Sequence, residues 1–185
     1  HSLCITVTKG SLADLTDEYA AIPQEMKKVA GFFGKEFLRE VEPEKFYKNI
    51  SKIRRECGDR PVLRALHFFE EEKRVELEVA ALRAGNFQGF LGNVQESGDS
   101  SFKYLQNIYS NKDVQNQSVS MGLAVSDSIL AGHGVSRVHG GGFAGTIQAF
   151  VADDFVETYR EMLDSVYGEG SCHVLKVRPF GGIKC

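Results

Sequence analysis

The stretch His139-Gly140-Gly141-Gly142-Phe143-Ala144-Gly145 is where this chain most invites chemistry. Bare backbone lets a loop approach a ligand or a facing chain closely, and its exposed N–H groups can meet anionic oxygens. Gly140, Gly142 and Gly145 satisfy G-x-G-x-x-G as spelled. The dinucleotide reading nevertheless fails, because that fingerprint needs a helix opening straight after the glycines. Here Thr146 to Val151 alternates as a strand, and no Gly-Lys-Ser/Thr follows, so a Walker-type phosphate loop is excluded as well. Two readings stand. One is a glycine-rich hairpin that serves only its own backbone. The other is a loop built to come close to a ligand.

Other candidates are weaker. His67, Glu71 and Arg74 lie at i, i+4 and i+7 and share a helix face. They could form a catalytic trio, but a structural ion-pair ladder is the better reading. Cys172-His173 has no partner at metal-ligand spacing, so no zinc or other metal site is expected. The run Glu70-Glu71-Glu72-Lys73-Arg74 reads as a solvated helix face.

The composition bounds these readings. The chain has 185 residues, 42% hydrophobic and 25% charged, with a net charge of −3. That is enough apolar surface to exclude a disordered class, and one domain is expected over residues 1–185. The charge balance argues against non-specific nucleic-acid binding, which draws on neutralising phosphates. The cysteines Cys4, Cys57, Cys172 and Cys185 show no CxxC spacing and read as reduced thiols of a cytoplasmic protein. No apolar run approaches the roughly 20 residues needed to span a bilayer, and no segment reads as a signal peptide. The chain opens at His1 and runs at once into an apolar strand, so a piece of a longer protein is expected.

The elements that must position the glycines follow from periodicity. Residues 3–8 alternate as a strand. Asp17 to Phe33 has helical spacing, and Pro23 implies a regular helix from Ile22. Glu44 to Glu56 is a second helix, stopped by Gly58. A third is capped by Asp59 and ended by Gly85, with Val62, Leu66, Phe69, Leu77 and Ala80 towards the core. Phe87 to Glu96 is helical and broken by Ser97-Gly98-Asp99-Ser100-Ser101; a short helix over Tyr104 to Tyr109 and a loop over Ser110 to Asn116 follow. Gln117 to Ala131 is a helix with Val119, Leu123, Ser126 and Leu130 along one side. Strands over Val135–Val138 and Thr146–Val151, a helix from Asp153 or Asp154 to Val166, and a strand over Cys172–Val177 complete the chain. The fold class is α+β: a small antiparallel sheet with helices packed on one face.

The run from Gly134 to Thr146 resembles the third, C-terminal motif of the GHMP small-molecule kinases, in its galactokinase form. Other stretches resemble the same pattern in order. They are Ser11 to Ala30 around Tyr19, then Phe37-Leu38-Arg39-Glu40-Val41, then His67, Glu71 and Arg74. Ala81-Leu82 with Gly85-Asn86, and Glu96-Ser97, complete the series. The departures are His139 for a threonine, Ala144 for a glycine and Gly98 for a histidine, and the tract Ser100 to Asn107 leaves the usual continuation.

The resemblance implies the C-terminal domain of a longer kinase, a ferredoxin-like sheet elaborated with extra helices. Its N-terminal nucleotide-binding domain, phosphate loop and catalytic pair are absent from this sequence. It implies ATP and Mg2+ as cofactors, held mainly by that other half, and a galactokinase reaction, with the isolated chain inactive. Catalytic residues are expected outside this chain. Tyr19 is then the sugar-binding candidate, since a phenol offers an apolar face and a hydroxyl, or else it staples the start of its helix. Gly140, Gly141, Gly142 and Phe143 form the phosphate and cleft loop. Arg137 would support that loop, meet phosphate or serve an ion pair. His139 would touch phosphate or sugar, or stand in solvent. The implied partners are a small sugar and the protein's own N-terminal domain, with no nucleic acid and no membrane. An apolar patch beside the glycines, open to self-association, is expected. A non-catalytic sugar sensor, and a kinase for another sugar or small alcohol, remain as alternatives.

Overall fold

The computed structural model describes residues 1–10 and 15–177. Cys185, the tail beyond residue 177 and the first residues of the segment around Tyr19 (11–14) lie outside the described residues.

Four strands form the sheet: β1 (Ser2–Val7), β2 (Gly134–His139), β3 (Thr146–Val151) and β4 (Cys172–Leu175). Their order is β2-β3-β1-β4, and every neighbouring pair is antiparallel. With a helical excursion after β1, a hairpin between β2 and β3 and one helix before β4, this is the split βαβ arrangement of ferredoxin-like folds. The fold is α+β with a small antiparallel sheet, as the strand and helix pattern implies.

Alternation sets which side of the sheet faces the core. Cys4, Thr6, Val138, Ile147, Ala149 and Val151 are buried, and the helices α5 (Ser118–Leu130) and α6 (Val156–Tyr167) cover that face. Val119, Leu123, Ser126 and Leu130 are the buried side of α5, as their spacing predicts. Phe150 and Arg137 point the other way, where α4 (Phe87–Ser100) leans on the β2–β3 edge. The helices α1 (Thr16–Phe32), α2 (Pro43–Cys57) and α3 (Asp59–Arg83) have an apolar cluster of their own, built around Phe46, Ile53, Val62 and Phe69.

Several expectations about local structure are corrected. Helix α1 starts at Thr16 and carries Pro23 inside it. Asp17 and Glu18 favour the early start, and the buried Glu18 carboxylate accepts from Ser110 Oγ at 2.7 Å. Asp59 is not a cap: Gly58 precedes the helix, and the Asp59 carboxylate pairs with Arg54. Leu77 and Ala80 do not reach the core, and Leu77 is 55% exposed. The second half of α3 lies against α4 on one side and presents the rest of its surface to solvent. Ser97 to Ser101 does not break α4; Ser97 Oγ donates to Glu71 Oε2 at 2.6 Å and Ser100 Oγ bonds His67 Nδ1 at 2.9 Å, so α3 supplies partners that keep the serines helical. A π-helical turn over Ser101–Leu105 follows, and no helix covers Gln106 to Tyr109, so the expected helix over Tyr104 to Tyr109 does not form. Neither Asp153 nor Asp154 caps α6, which starts after Phe155. Strand β4 ends at Leu175.

Candidate functional site

The glycine turn joins β2 to β3 at one end of the sheet. Gly140, Gly142 and Gly145 have φ of +71°, +83° and +109°. Such angles are cheap for glycine and strained for other residues. Phe143 shares the left-handed region at φ +59° and is buried. It packs with Leu15, Ala144 and Ile22 into a small apolar cluster beneath the turn. Gly140 and Gly141 are exposed above it.

Three elements far apart in sequence hold this turn. From α1, Tyr19 donates its hydroxyl to the Gly142 carbonyl at 2.9 Å and meets the Phe143 ring edge-on at 5.3 Å. A Cβ on Gly141 would sit 2.6 Å from the Tyr19 ring. From the end of β1, Thr8 donates both its N–H (2.7 Å) and its hydroxyl (2.9 Å) to the Gly145 carbonyl. From the segment after the π-helical turn, the Asn107 carbonyl accepts the Phe143 N–H at 2.5 Å and Asn107 Nδ2 donates to the Gly141 carbonyl at 3.2 Å. A Cβ on Gly142 would collide with the Asn107 carbonyl.

The Gly141, Gly142 and Gly145 carbonyls are thus spent on the body of the protein. The N–H groups of Gly140 and Gly141 have no acceptor among the described residues. N–H groups without an internal acceptor on exposed backbone suit a phosphoryl oxygen. Magnesium is a different matter: it needs hard oxygen ligands, and no cluster of three His, Cys, Asp or Glu side chains forms among the described residues.

Tyr19, Gly140, Gly141, Gly142 and Phe143 come together in one place. His139 stands exposed on the strand beside them and bonds Gln148 across the hairpin at 2.8 Å. Arg137 points elsewhere. Its guanidinium bonds Ser97 Oγ and lies 3.9 Å from Glu71. Burial pulls its pKa below the usual arginine value, against the opposing pull of Glu71. Gly98 makes this approach possible, since a Cβ there would be 2.8 Å from the Arg137 Cβ. His67, Glu71 and Arg74 belong to the same network rather than to the turn: Glu71 pairs with Arg74, and burial holds His67 down at about 4.

Under the turn Leu15, Phe143 and Ala144 are buried and Ile22 partly so, and Tyr19, 36% exposed, lies beside Gly141. Cys4, Cys57 and Cys172 are free and buried. Among the described residues no helix is long and apolar enough to cross a membrane. Asn107 and Thr8 escaped the sequence reading. Neither sits in a motif, and each acts on the turn across long sequence separations.

No family model matches the sequence. Among curated proteins it is similar to galactokinase of Glaesserella parasuis serovar 5, 28% identical over 153 residues, covering 83% of this chain and 38% of that protein. Galactokinase of Haemophilus influenzae is 27% identical over the same share of each. Among solved structures, a Lactococcus lactis galactokinase complexed with galactose shares the fold, with a TM-score of 0.69 at 23% identity over 94% of this chain and 44% of that one. The chain resembles the C-terminal half of a galactokinase-like GHMP kinase. It spans about two-fifths of the length of the curated galactokinases it matches, 38% of each. On the galactokinase-like reading, the glycine turn coincides with the stretch that resembles the third kinase motif. The departures at His139, Ala144 and Gly98 then acquire places: one on the open hairpin, one in the apolar cluster, one where α4 meets β2.

Proposed function

We propose that this chain is the substrate-cleft part of an ATP-dependent sugar 1-kinase whose sugar is galactose, acting with an N-terminal nucleotide-binding half. In that reaction the anomeric hydroxyl oxygen bonds the γ-phosphorus, the bond from that phosphorus to ADP breaks, and the hydroxyl proton passes to a base. Base, phosphate loop and metal ligands belong to the other half on this reading. Magnesium, when bound, offsets charge on the phosphates.

The observation that carries the reading is the bonding of the turn, with the Gly141, Gly142 and Gly145 carbonyls tied to the body of the protein and the N–H groups of Gly140 and Gly141 without an acceptor among the described residues. The likeness to galactokinases supports it from an independent side. Phosphoryl transfer is mostly positioning and charge stabilisation. Gly140, Gly141 and Gly142 would close over the sugar–phosphate junction, exclude water and present N–H groups to a phosphoryl oxygen. Tyr19 would serve twice. Its O–H is given to Gly142, and its oxygen lone pair and ring face stay available to a sugar.

The test is ATP-dependent phosphorylation of a sugar panel by the full-length protein, with this chain alone as control. Galactose 1-phosphate from the full-length protein, and no turnover by the chain alone, is the expected result. Galactose binding without turnover would make the protein a sensor; turnover of another sugar or alcohol would replace galactose.

A further inference from the structure

We infer that Asn107 is the positioning residue that sets the glycine turn for phosphoryl transfer, an inference that rests on the kinase reading above. Asn107 is 3% exposed. It lies outside every motif that links the chain to the kinases, in the tract where the sequence leaves their pattern. Its side chain is used on one side only. Nδ2 reaches the Gly141 carbonyl at 3.2 Å, while Oδ1 is buried with no hydrogen-bond partner among the described residues. An orphaned buried acceptor carries a desolvation cost. The opposite amide orientation would set Oδ1 against the Gly141 carbonyl, two acceptors face to face. Asparagine is thus held here for its donor, at the expense of its acceptor.

The backbone around it is arranged to deliver that donor. The π-helical turn ends in Gln106 at φ +57°, and π-turns recur at functional sites. Arg64, 1% exposed, donates from Nε to the Leu105 carbonyl at 3.0 Å and pairs with Glu25 at 2.8 Å. A buried charge therefore fixes the chain two residues ahead of Asn107. Asn107 then takes the Phe143 N–H on its carbonyl and the Gly141 carbonyl on its side chain. With Tyr19 on the Gly142 carbonyl, each of residues 141–143 has a bond to an element outside the turn. The Gly141–Gly142 peptide is the one whose tilt Asn107 decides, and that tilt aims the neighbouring N–H groups.

The test is Asn107→Asp, which keeps the size and replaces the donor by an acceptor that regains a donor when protonated. In this chain at pH 7, amide exchange at Phe143 should quicken about tenfold and slow again towards pH 5 relative to the intrinsic rate, as loss of one hydrogen bond of about 1.4 kcal/mol predicts. In the full-length kinase, kcat should fall at least tenfold at pH 7 with the sugar KM little changed, and should recover in part at lower pH relative to wild type. Asn107→Ser, whose hydroxyl is too short to reach Gly141, should show both losses with no recovery at low pH, and it serves if the Asp variant does not fold. Unchanged exchange and unchanged kcat in the folded variants would overturn the inference, as would a loss in kcat without the pH recovery. A wild-type protein that phosphorylates nothing would refute the kinase reading instead, and the exchange measurement would still decide whether Asn107 sets the turn.

Discussion

The Tyr19 hydroxyl donates to the Gly142 carbonyl at 2.9 Å, joining the first helix to a turn 123 positions later in the chain. The ring that carries this hydroxyl lies where a Gly141 side chain would begin. One residue thus sets the height of the turn and occupies the space that a side chain on Gly141 would need. This ties the adjacent glycines to different neighbours. Gly141 is bare because of a side chain on α1, and Gly142 is bare because of its own φ and of a backbone carbonyl at Asn107.

Substitutions at the two positions should therefore separate. Gly142→Ala meets the positive φ, which alone costs about 1–3 kcal/mol, and a backbone atom that cannot swing aside. Melting of this chain should show a clear loss of stability. Gly141→Ala meets the ring of Tyr19, which can shift, and its melting temperature should change little while turnover of the full-length protein falls. Equal stability losses at both positions would mean that the turn is purely structural.

Tyr19→Phe removes the donor and keeps the ring. The Gly142 carbonyl then keeps the Ala144 N–H at 2.7 Å and loses only the phenol, so the cost should be about 1 kcal/mol. Titration of galactose into the full-length protein should weaken more than this loss of stability explains, because the sugar loses the phenolic oxygen as well. Unaltered sugar affinity would leave Tyr19 as a helix staple only.

How far the sequence is legible follows from such pairs. Strands β1 and β3 and the buried side of α5 show in the alternation of a few adjacent residues, because one face of each meets the core. The glycine turn is legible because three adjacent glycines have few other uses. Asn107 is not legible: its reasons are a carbonyl 34 residues away and a clash that exists only in three dimensions. Ser97 to Ser101 misleads for the same reason, since Glu71 and His67 on a neighbouring helix supply what isolated serines would seek from their own backbone. Leu77 and Ala80 mislead in the opposite sense. Helical spacing says that a face is apolar, and only the packing says whether anything covers it.

That last distinction is measurable along α3. Phe69 is buried between α2 and its own helix, in ring contact with Phe46 at 4.9 Å. Phe69→Ala should cost about 3–5 kcal/mol. Leu77, two turns on, is exposed, and Leu77→Ala should stay within about 0.5 kcal/mol. Urea unfolding of both variants checks the contrast, and a comparable loss at Leu77 would mean that the end of α3 is covered in solution.

His67 makes the fold sensitive to acid. It is 7% exposed and bonded to Ser100. Burial lowers its pKa from 6.5 to about 4 in the folded chain, with the Glu71 carboxylate pulling the other way. The unfolded chain therefore binds the proton more readily than the folded one between those values. Stability on this account is complete above pH 6.5 and drains away as the pH falls towards 4, by roughly 3 kcal/mol at 1.36 kcal/mol for each pH unit. Carboxylates titrate in the lower part of the same range, so the comparison must be with His67→Gln, which can keep a partner for Ser100 and takes up no proton. Chemical unfolding from pH 4 to 8 should show the two stability curves converging as the medium becomes acid, with the wild type losing more. Parallel curves would mean that His67 accepts its proton without leaving its place against Ser100.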